Sequence, residues 1–297
     1  KGTYAKFLLV GCYMKPDEEG VRMYRFDGQT ADVDYPCGLR GISNPAFLTS
    51  DSTGNRIYAI GDDEGKSSTA NALLFDKESG LLSLLNSQST DGELPIYITL
   101  SPKEYFVLTA NYKGGSITVF SQDKKGKLQR DTKIIRFAGN GPNKKRQEQS
   151  HLHCVTFTPD GKFLLATDLG TDCIYLFPIG KRPEAGKAHS LLDESRVVRI
   201  QMDSGSGPRH ICFHPNGRFA YLISELSGKI TVFSYNEGKL ERLQTIVCDP
   251  FVAEGNADIH VSSDGKFLYA SKHLKEDGII VYSIDSQKGT LVQRSEE

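Results

Sequence analysis

Histidine, arginine and carboxylate side chains recur at fixed distances from a small set of turn residues. His153 lies six residues before Pro159, and Arg209 lies six before Pro215. Nine or ten residues past the equivalent turn positions come Asp62, Asn111, Tyr112, Asp168, Glu225, Lys272 and His273. Where such turns join antiparallel strands, the start of the first strand and the end of the second share one rim. These side chains therefore gather on one face, opposite the turns. A concave rim lined with cations, carboxylates and rings suits a small molecule. Other readings of the same residues stay open. His151 and His153, at i and i+2, share one side of a strand and could bind a metal, although no third ligand has matching local spacing. Arg209 and Glu225 could be an ion pair between repeats. Asp168 could cap the turn at Leu169 and Gly170. His214, beside Pro215, reads as structural, and His260, two residues after Asp258, as structural or functional alike. No Gly-x-Ser-x-Gly elbow and no cysteine in nucleophile context appear, so covalent catalysis has little support. The glycine turns are not followed by helices and are not phosphate cradles.

The elements that must position these residues are short strands in a repeat. SHLHCVTFTPDGKFLLATDLGTDCIYLF, from Ser150 to Phe177, holds two runs flanking Pro159, Asp160 and Gly161, then a third run after a second turn. Alternation with period two and Asp-Gly punctuation read as an antiparallel meander. GPRHICFHPNGRFAYLISELSGKITVF repeats it from Gly207, NADIHVSSDGKFLYASKHLKEDGIIVY from Asn256, LPIYITLSPKEYFVLTANYKGGSITVF from Leu94, and a weaker copy starts at Asn44. The turn anchors Ser52, Pro102, Pro159, Pro215 and Ser263 are spaced by 50, 57, 56 and 48 residues. A fourth strand follows in KESGLLSLL, KKGKLQR, NEGKLERLQTI and QKGTLVQR. Such a repeat, with no helical period, predicts an all-β propeller of four-stranded antiparallel blades, about six of them visible in these 297 residues.

The repeat makes residues 1–297 one propeller domain. Lys6 to Tyr13 matches a second strand and VRMYRFD a third, so the chain opens one strand into a blade. Propellers remove their exposed edges by closing the ring. Nothing is left after the last blade to do so, which predicts a missing closing blade at the C-terminal end or an open ring. Two long connections, Phe137 to Gln149 and Pro178 to Gly207, each lead into a first strand, and loops of that length are uncommon unless functional or mobile.

A formal net charge of -1 implies no general attraction to nucleic acid or to acidic membranes. The basic cluster Lys144, Lys145 and Arg146 reads as solvated loop. No apolar run approaches the roughly 18 residues of a membrane span. The six cysteines show no zinc-type pairing and sit largely in predicted strands as small apolar residues. A reducing cytosol is the simplest compartment, with export after removal of a signal as the alternative.

The motifs ANYKGGSITVF, RQEQSHLHCVTFTPDGKFLLATDLGTD, GPRHICFHPNGRFAYLISEL and ADIHVSSDGKFLYASK resemble those of the propeller-type 6-phosphogluconolactonase family, which also resembles the carboxy-muconate lactonising enzymes. The resemblance spans essentially the whole chain. It implies a seven-bladed propeller and a lactone hydrolase of carbohydrate metabolism, in the pentose phosphate pathway. No cofactor and no metal are expected. It implies that a histidine, an arginine and a glutamate carry the chemistry, and by motif match these fall on His153, Arg209 and Glu225. His153 would be the general base, Arg209 would stabilise the oxyanion or bind the substrate's anionic group, and Glu225 would orient Arg209. Asn111, Tyr112, His151, Asp168, His210, His260, Lys272 and His273 would bind substrate. A further family arginine is replaced here by His273, with Lys272 beside it to supply charge. The expected partner is a small lactone, with no nucleic acid or membrane, and the protein a monomer or weak homodimer. The alternatives are a lactonising reaction on a muconate-like dicarboxylate and a non-catalytic propeller that binds a protein on this face.

Overall fold

The computed structural model describes residues 5–248, 255–273 and 277–296. Among them the strands form six antiparallel sheets, five of four strands and one of three, and each sheet takes its strands from consecutive stretches of chain. Two compact units result. The first comprises Lys1–Arg136 and Glu184–His189, the second Phe137–Pro183 and Ser190–Glu297.

The second unit holds three four-stranded sheets. One is Leu152–Phe157, Phe163–Asp168, Cys173–Pro178 and Val198–Gln201. The next is Pro208–Phe213, Phe219–Ser224, Lys229–Asn236 and Lys239–Val247, and the last is Asn256–Val261, Phe267–Lys272, Gly278–Ile284 and Leu291–Glu296. These follow the repeat read from the sequence, with one difference. The stretch from Pro178 to Gly207, expected to be a plain connection, supplies the fourth strand Val198–Gln201 of its own sheet after two 3-10 turns, Ala188–Ser190 and Glu194–Arg196.

Burial explains why strict alternation is only partly visible. Every residue of Phe219–Ser224 is buried, as are five of six in Phe163–Asp168. A strand covered on both faces reads as a continuous apolar run rather than a period of two. The cover comes from the adjacent sheet. Tyr221, Ile223, Ile230 and Val232 pack into one cluster with Ile259, Leu268, Ala270, Ile280 and Tyr282. The fourth strands are edge strands of their sheets, and every residue of Lys239–Val247 is exposed or half-buried. In the first unit, Val21 and Met23 pack in the same way with Ile57, Ala59, Leu73 and Phe75.

The turns are built as their residues require. Gly161 has φ 67°, and its N–H donates to the Thr158 carbonyl at 2.8 Å. The Asp160 carboxylate accepts from the Lys162 N–H at 3.0 Å and from the Thr158 hydroxyl at 2.6 Å, closing an Asx-type turn. The His214 turn is tied to the next sheet, because its Nε2 lies 2.9 Å from the Gly265 carbonyl. His214 is structural, as its position beside Pro215 suggested. All six cysteines are free thiols.

Candidate active site

The residues of interest lie at the opposite end of each strand pair from these turns. In the Leu152–Phe157 sheet the pairing runs Leu152 with Asp168, then Cys154 with Thr167, leaving His153 as an extra residue. In the next sheet Pro208 pairs with Ser224 and His210 with Ile223, leaving Arg209 extra. In the third, Asn256 pairs with Lys272 and Ile259 with Ala270, so Ala257 and Asp258 face one residue. Each first strand thus carries a β-bulge at the same place, and a bulge re-aims the side chain it releases from the ladder.

The released side chains converge. Glu225, at the end of the second strand of its sheet, is 5 % exposed. Its Oε2 accepts from Arg209 Nε at 3.0 Å, and its Oε1 accepts from Arg146 Nη2. Arg209 also donates through Nη1 to the Ala257 carbonyl, a contact with the neighbouring sheet. The His153 ring sits beside this group, with Nε2 3.8 Å from Glu225 Oε2, too long for a hydrogen bond. The rings of His153 and His210 meet edge to face at 5.1 Å between centroids. His210 Nδ1 lies 2.7 Å from Asp258 Oδ1, and His260 Nε2 lies 2.9 Å from Asp258 Oδ2. A carboxylate only accepts, so the His210 proton sits on Nδ1 and the lone pair on Nε2.

Protonation follows from the surroundings. Burial, with the charge of Arg209 and then His210 and Arg146, holds the His153 imidazole well below the ordinary histidine value of 6.5. Burial lowers His210 too, and the bond to Asp258 offsets this only in part. His260, which is exposed, is raised by its bond to Asp258. Burial opposes charge on Asp258, but the bonds from His210 and His260 outweigh it and hold the carboxyl well below its usual range. The result at neutral pH is two neutral imidazoles beside a carboxylate gripped by two arginines. Such a group can take a proton from water and stabilise negative charge developing on an oxygen.

Residues 7–297 match the family described as lactonase, 7-bladed β-propeller. The chain belongs to this family. Its sheets and its family agree on an all-β propeller of four-stranded antiparallel blades. The 6-phosphogluconolactonase of Bacillus subtilis (strain 168) is 33 % identical over 290 residues, covering 95 % of this chain and 78 % of that one. That of Formosa agariphila is 31 % identical over 292 residues, covering 96 % and 80 %. Among solved structures, a Bacteroides fragilis protein provisionally named 6-phosphogluconolactonase superposes with a TM-score of 0.92 at 39 % identity, covering 99 % of this chain and 82 % of that one. The periplasmic gluconolactonase of Pseudomonas aeruginosa superposes with a TM-score of 0.87 at 28 % identity, covering 99 % and 82 %.

Not every residue expected at the lactonase rim joins this cluster. His153, Arg209, Glu225 and His210 come together, and His260 is linked through Asp258. His151 turns elsewhere, with Nε2 3.1 Å from Glu148 Oε1. The bulge between them breaks the i, i+2 relation that suggested a metal pair, and no metal-holding group of three His, Cys, Asp or Glu occurs among the described residues. Asp168 is fully buried and accepts from Ser150 Oγ, Thr171 Oγ1 and the N–H groups of His151 and Gly170. Those bonds brace the rim turn. Lys272 is buried at its strand end opposite Asn256, and His273 Nδ1 lies 2.8 Å from the Gly255 carbonyl. Asn111 and Tyr112 belong to the first unit. There Asn111 is buried and donates to Ser116 and Thr118, and the Tyr112 N–H donates to the Leu94 carbonyl.

Two residues escaped the sequence reading. Arg146, which the sequence reads as solvated loop, holds Glu225. Asp258 reads from the sequence only as a neighbour of His260, yet it joins His260 to His210. For Arg146 the signal was the length of its loop. The loop is fixed by Gln147, which is fully buried and donates to the Leu169 carbonyl at 2.9 Å and to Asp172 Oδ1 at 2.8 Å. Asp172 also accepts from the N–H groups of Gly205 and Gly207, so one buried carboxylate ties both long connections together.

Proposed function

We propose that this lactonase-family chain hydrolyses 6-phosphogluconolactone or a closely related acidic sugar lactone. The observation that supports this most directly is the Glu225 carboxylate held between Arg209 and Arg146, against two buried imidazoles kept neutral. The names of relatives at 31–39 % identity point to the same substrate class.

In this reading neutral His153 takes a proton from a water molecule as its oxygen attacks the lactone carbonyl carbon. Electrons of the carbonyl move onto its oxygen, and the Arg209 guanidinium stabilises that charge. The intermediate collapses by breaking the bond between the acyl carbon and the ring oxygen. The departing ring oxygen recovers a proton from the His153 imidazolium, giving the hydroxy acid. Glu225 and the Ala257 carbonyl hold Arg209 at two points, so its direction is set before substrate arrives. His210 packs against His153, and Asp258 fixes its tautomer. We place the protein in a reducing compartment on its six free thiols. Among the described residues no helix is long and apolar enough to cross a membrane.

The test is a substrate panel with purified protein: 6-phosphogluconolactone, uncharged sugar lactones and muconates, each corrected for spontaneous hydrolysis. Turnover of the phosphorylated lactone well above background is expected. Turnover of muconates alone, or of nothing, would overturn the reading.

A further inference from the structure

We propose that Asn256 is a further catalytic residue, whose side-chain amide donates a hydrogen bond to the lactone carbonyl oxygen as negative charge develops on it. The inference rests on the lactonase reading above and adds a neutral donor to the histidine, arginine and glutamate set.

The place Asn256 occupies is one that its sister sheets fill with apolar residues. It stands on the first strand just before the bulge and pairs with Lys272, the end of the second strand. Leu152 opposite Asp168 and Pro208 opposite Ser224 hold the same place in the two preceding sheets, and Pro95 opposite Asn111 holds it in a sheet of the first unit. All three are buried. Asn256 is covered to the same degree, at 2 % exposed. An amide there gives packing nothing that leucine, with the same branched outline, would not give.

Its hydrogen bonding sets it apart again. Among the described residues none accepts from Asn256 Nδ2, although that nitrogen is buried. A buried donor left without an acceptor is destabilising, native proteins hold few of them, and a catalytic role is one of the reasons they persist.

The chain on either side ties this place to the reacting groups. The Gly255 N–H donates to the Glu225 carbonyl at 3.3 Å, and the Ala257 carbonyl accepts from Arg209 Nη1. Asn256 therefore sits between a contact to the Glu225 backbone and a contact to the guanidinium that faces the reacting carbonyl in the lactonase reading. Nothing among the described residues holds the amide nitrogen, so it can turn to a substrate oxygen without giving up a bond. A neutral amide also suits a site whose arginine already depresses the His153 imidazole, because it stabilises an oxyanion without adding to that charge.

The test uses Asn256→Leu, which keeps the outline and removes the donor, and Asn256→Ala, which removes both. Each is compared with the wild type for melting temperature and for kcat and KM on 6-phosphogluconolactone. Both variants should lose about 10²–10³-fold in kcat, the usual weight of one oxyanion donor, with KM little changed. The better packed of the two should melt at or above the wild type, since each exchanges an unpaired donor for apolar surface. Both variants melting more than about 5 °C below the wild type would mean that the amide is bonded inside the folded protein, to a buried water for instance, and would overturn the proposal. So would a kcat within about threefold of wild type in either variant, or a loss carried by KM alone. A wild type that opens no lactone would sink the lactonase reading; an active wild type with an undiminished Asn256→Leu would sink only this assignment.

Discussion

Replacing Glu225 with glutamine tests the central arrangement most directly. The carboxylate is 5 % exposed and accepts from Arg209 through one oxygen and from Arg146 through the other. An amide of the same shape keeps one acceptor and turns an NH2 group toward the second arginine. One charge-assisted bond is therefore lost and replaced by two opposed donors, and both arginines lose their counter-charge. Breaking a buried pair costs about 3–5 kcal/mol. Arg146 is one-third exposed, so its share is screened, and Arg209 keeps its bond to Ala257. The lower end, about 3 kcal/mol, is expected. At about 2–4 °C per kcal/mol for a domain approaching this size, the melting temperature should fall by about 6–12 °C. A double-mutant cycle with Arg209→Gln separates this pair from general damage, and a coupling energy of about 1–3 kcal/mol is expected for groups in contact. Calorimetric melting of the four proteins supplies every value. A Glu225→Gln protein that melts within about 1 °C of wild type, with additive double-mutant losses, would refute the reasoning.

Three further outcomes follow from the same geometry. His153→Asn should lower kcat by about 10²–10⁴-fold, and the wild-type acid limb of kcat/KM should lie below pH 6.5, because the folded imidazole is held under that value. The sign for stability agrees: between the folded pKa and the ordinary value the unfolded chain binds more protons, so stability present above pH 6.5 is lost as pH falls through that window. An acid limb above pH 6.5, or one that survives in His153→Asn, would exclude His153 as the base. Arg209→Lys keeps the charge but cannot hold Glu225 and Ala257 together, so kcat should fall by about 10²–10³-fold with melting little changed; a large melting shift with unchanged turnover per folded molecule would make Arg209 structural. Gly170→Ala would place a Cβ 1.8 Å from the Gln149 carbonyl oxygen, a backbone clash that should cost about 1–3 kcal/mol in denaturant titration, and a neutral result would mean that this rim turn can shift freely.

The repeat, its strands and its turns were legible because each copy repeats the same Pro-Asp-Gly chemistry at a nearly constant interval. That His153, Arg209 and Glu225 share one end of their sheets was legible for the same reason, since equivalent positions in successive copies must do so; singling these three out from the rest of the rim came from the family motifs. What stayed hidden has physical causes. The bulges at His153, Arg209 and Asp258 add a residue to strands whose faces are largely covered, so no break in alternation marks them. Positions nine and ten past the turn looked alike in the sequence. In the second unit, however, Asp168 at position nine braces its turn, whereas Glu225 at position ten meets the arginines. Arg146 lies in a connection without repeat register, and only its tie through Gln147 and Asp172 fixes it. Val198–Gln201 carries no signal in the sequence because two 3-10 turns and polar residues separate it from the strand it pairs with.

The recurrent bulge also bears on how one repeated unit can acquire unlike parts. Copies that stack on each other need the same ladder and the same apolar faces, which limits change at most positions. A residue outside the ladder escapes that limit. Histidine, arginine and an Ala-Asp pair occupy this place in three successive sheets, and in the first unit Ile96 takes it, skipped between the Pro95–Asn111 and Tyr97–Ala110 pairs. The place behaves as an interchangeable socket: diversity there leaves strand register untouched, so new specificity can be tried one socket at a time without rebuilding the scaffold.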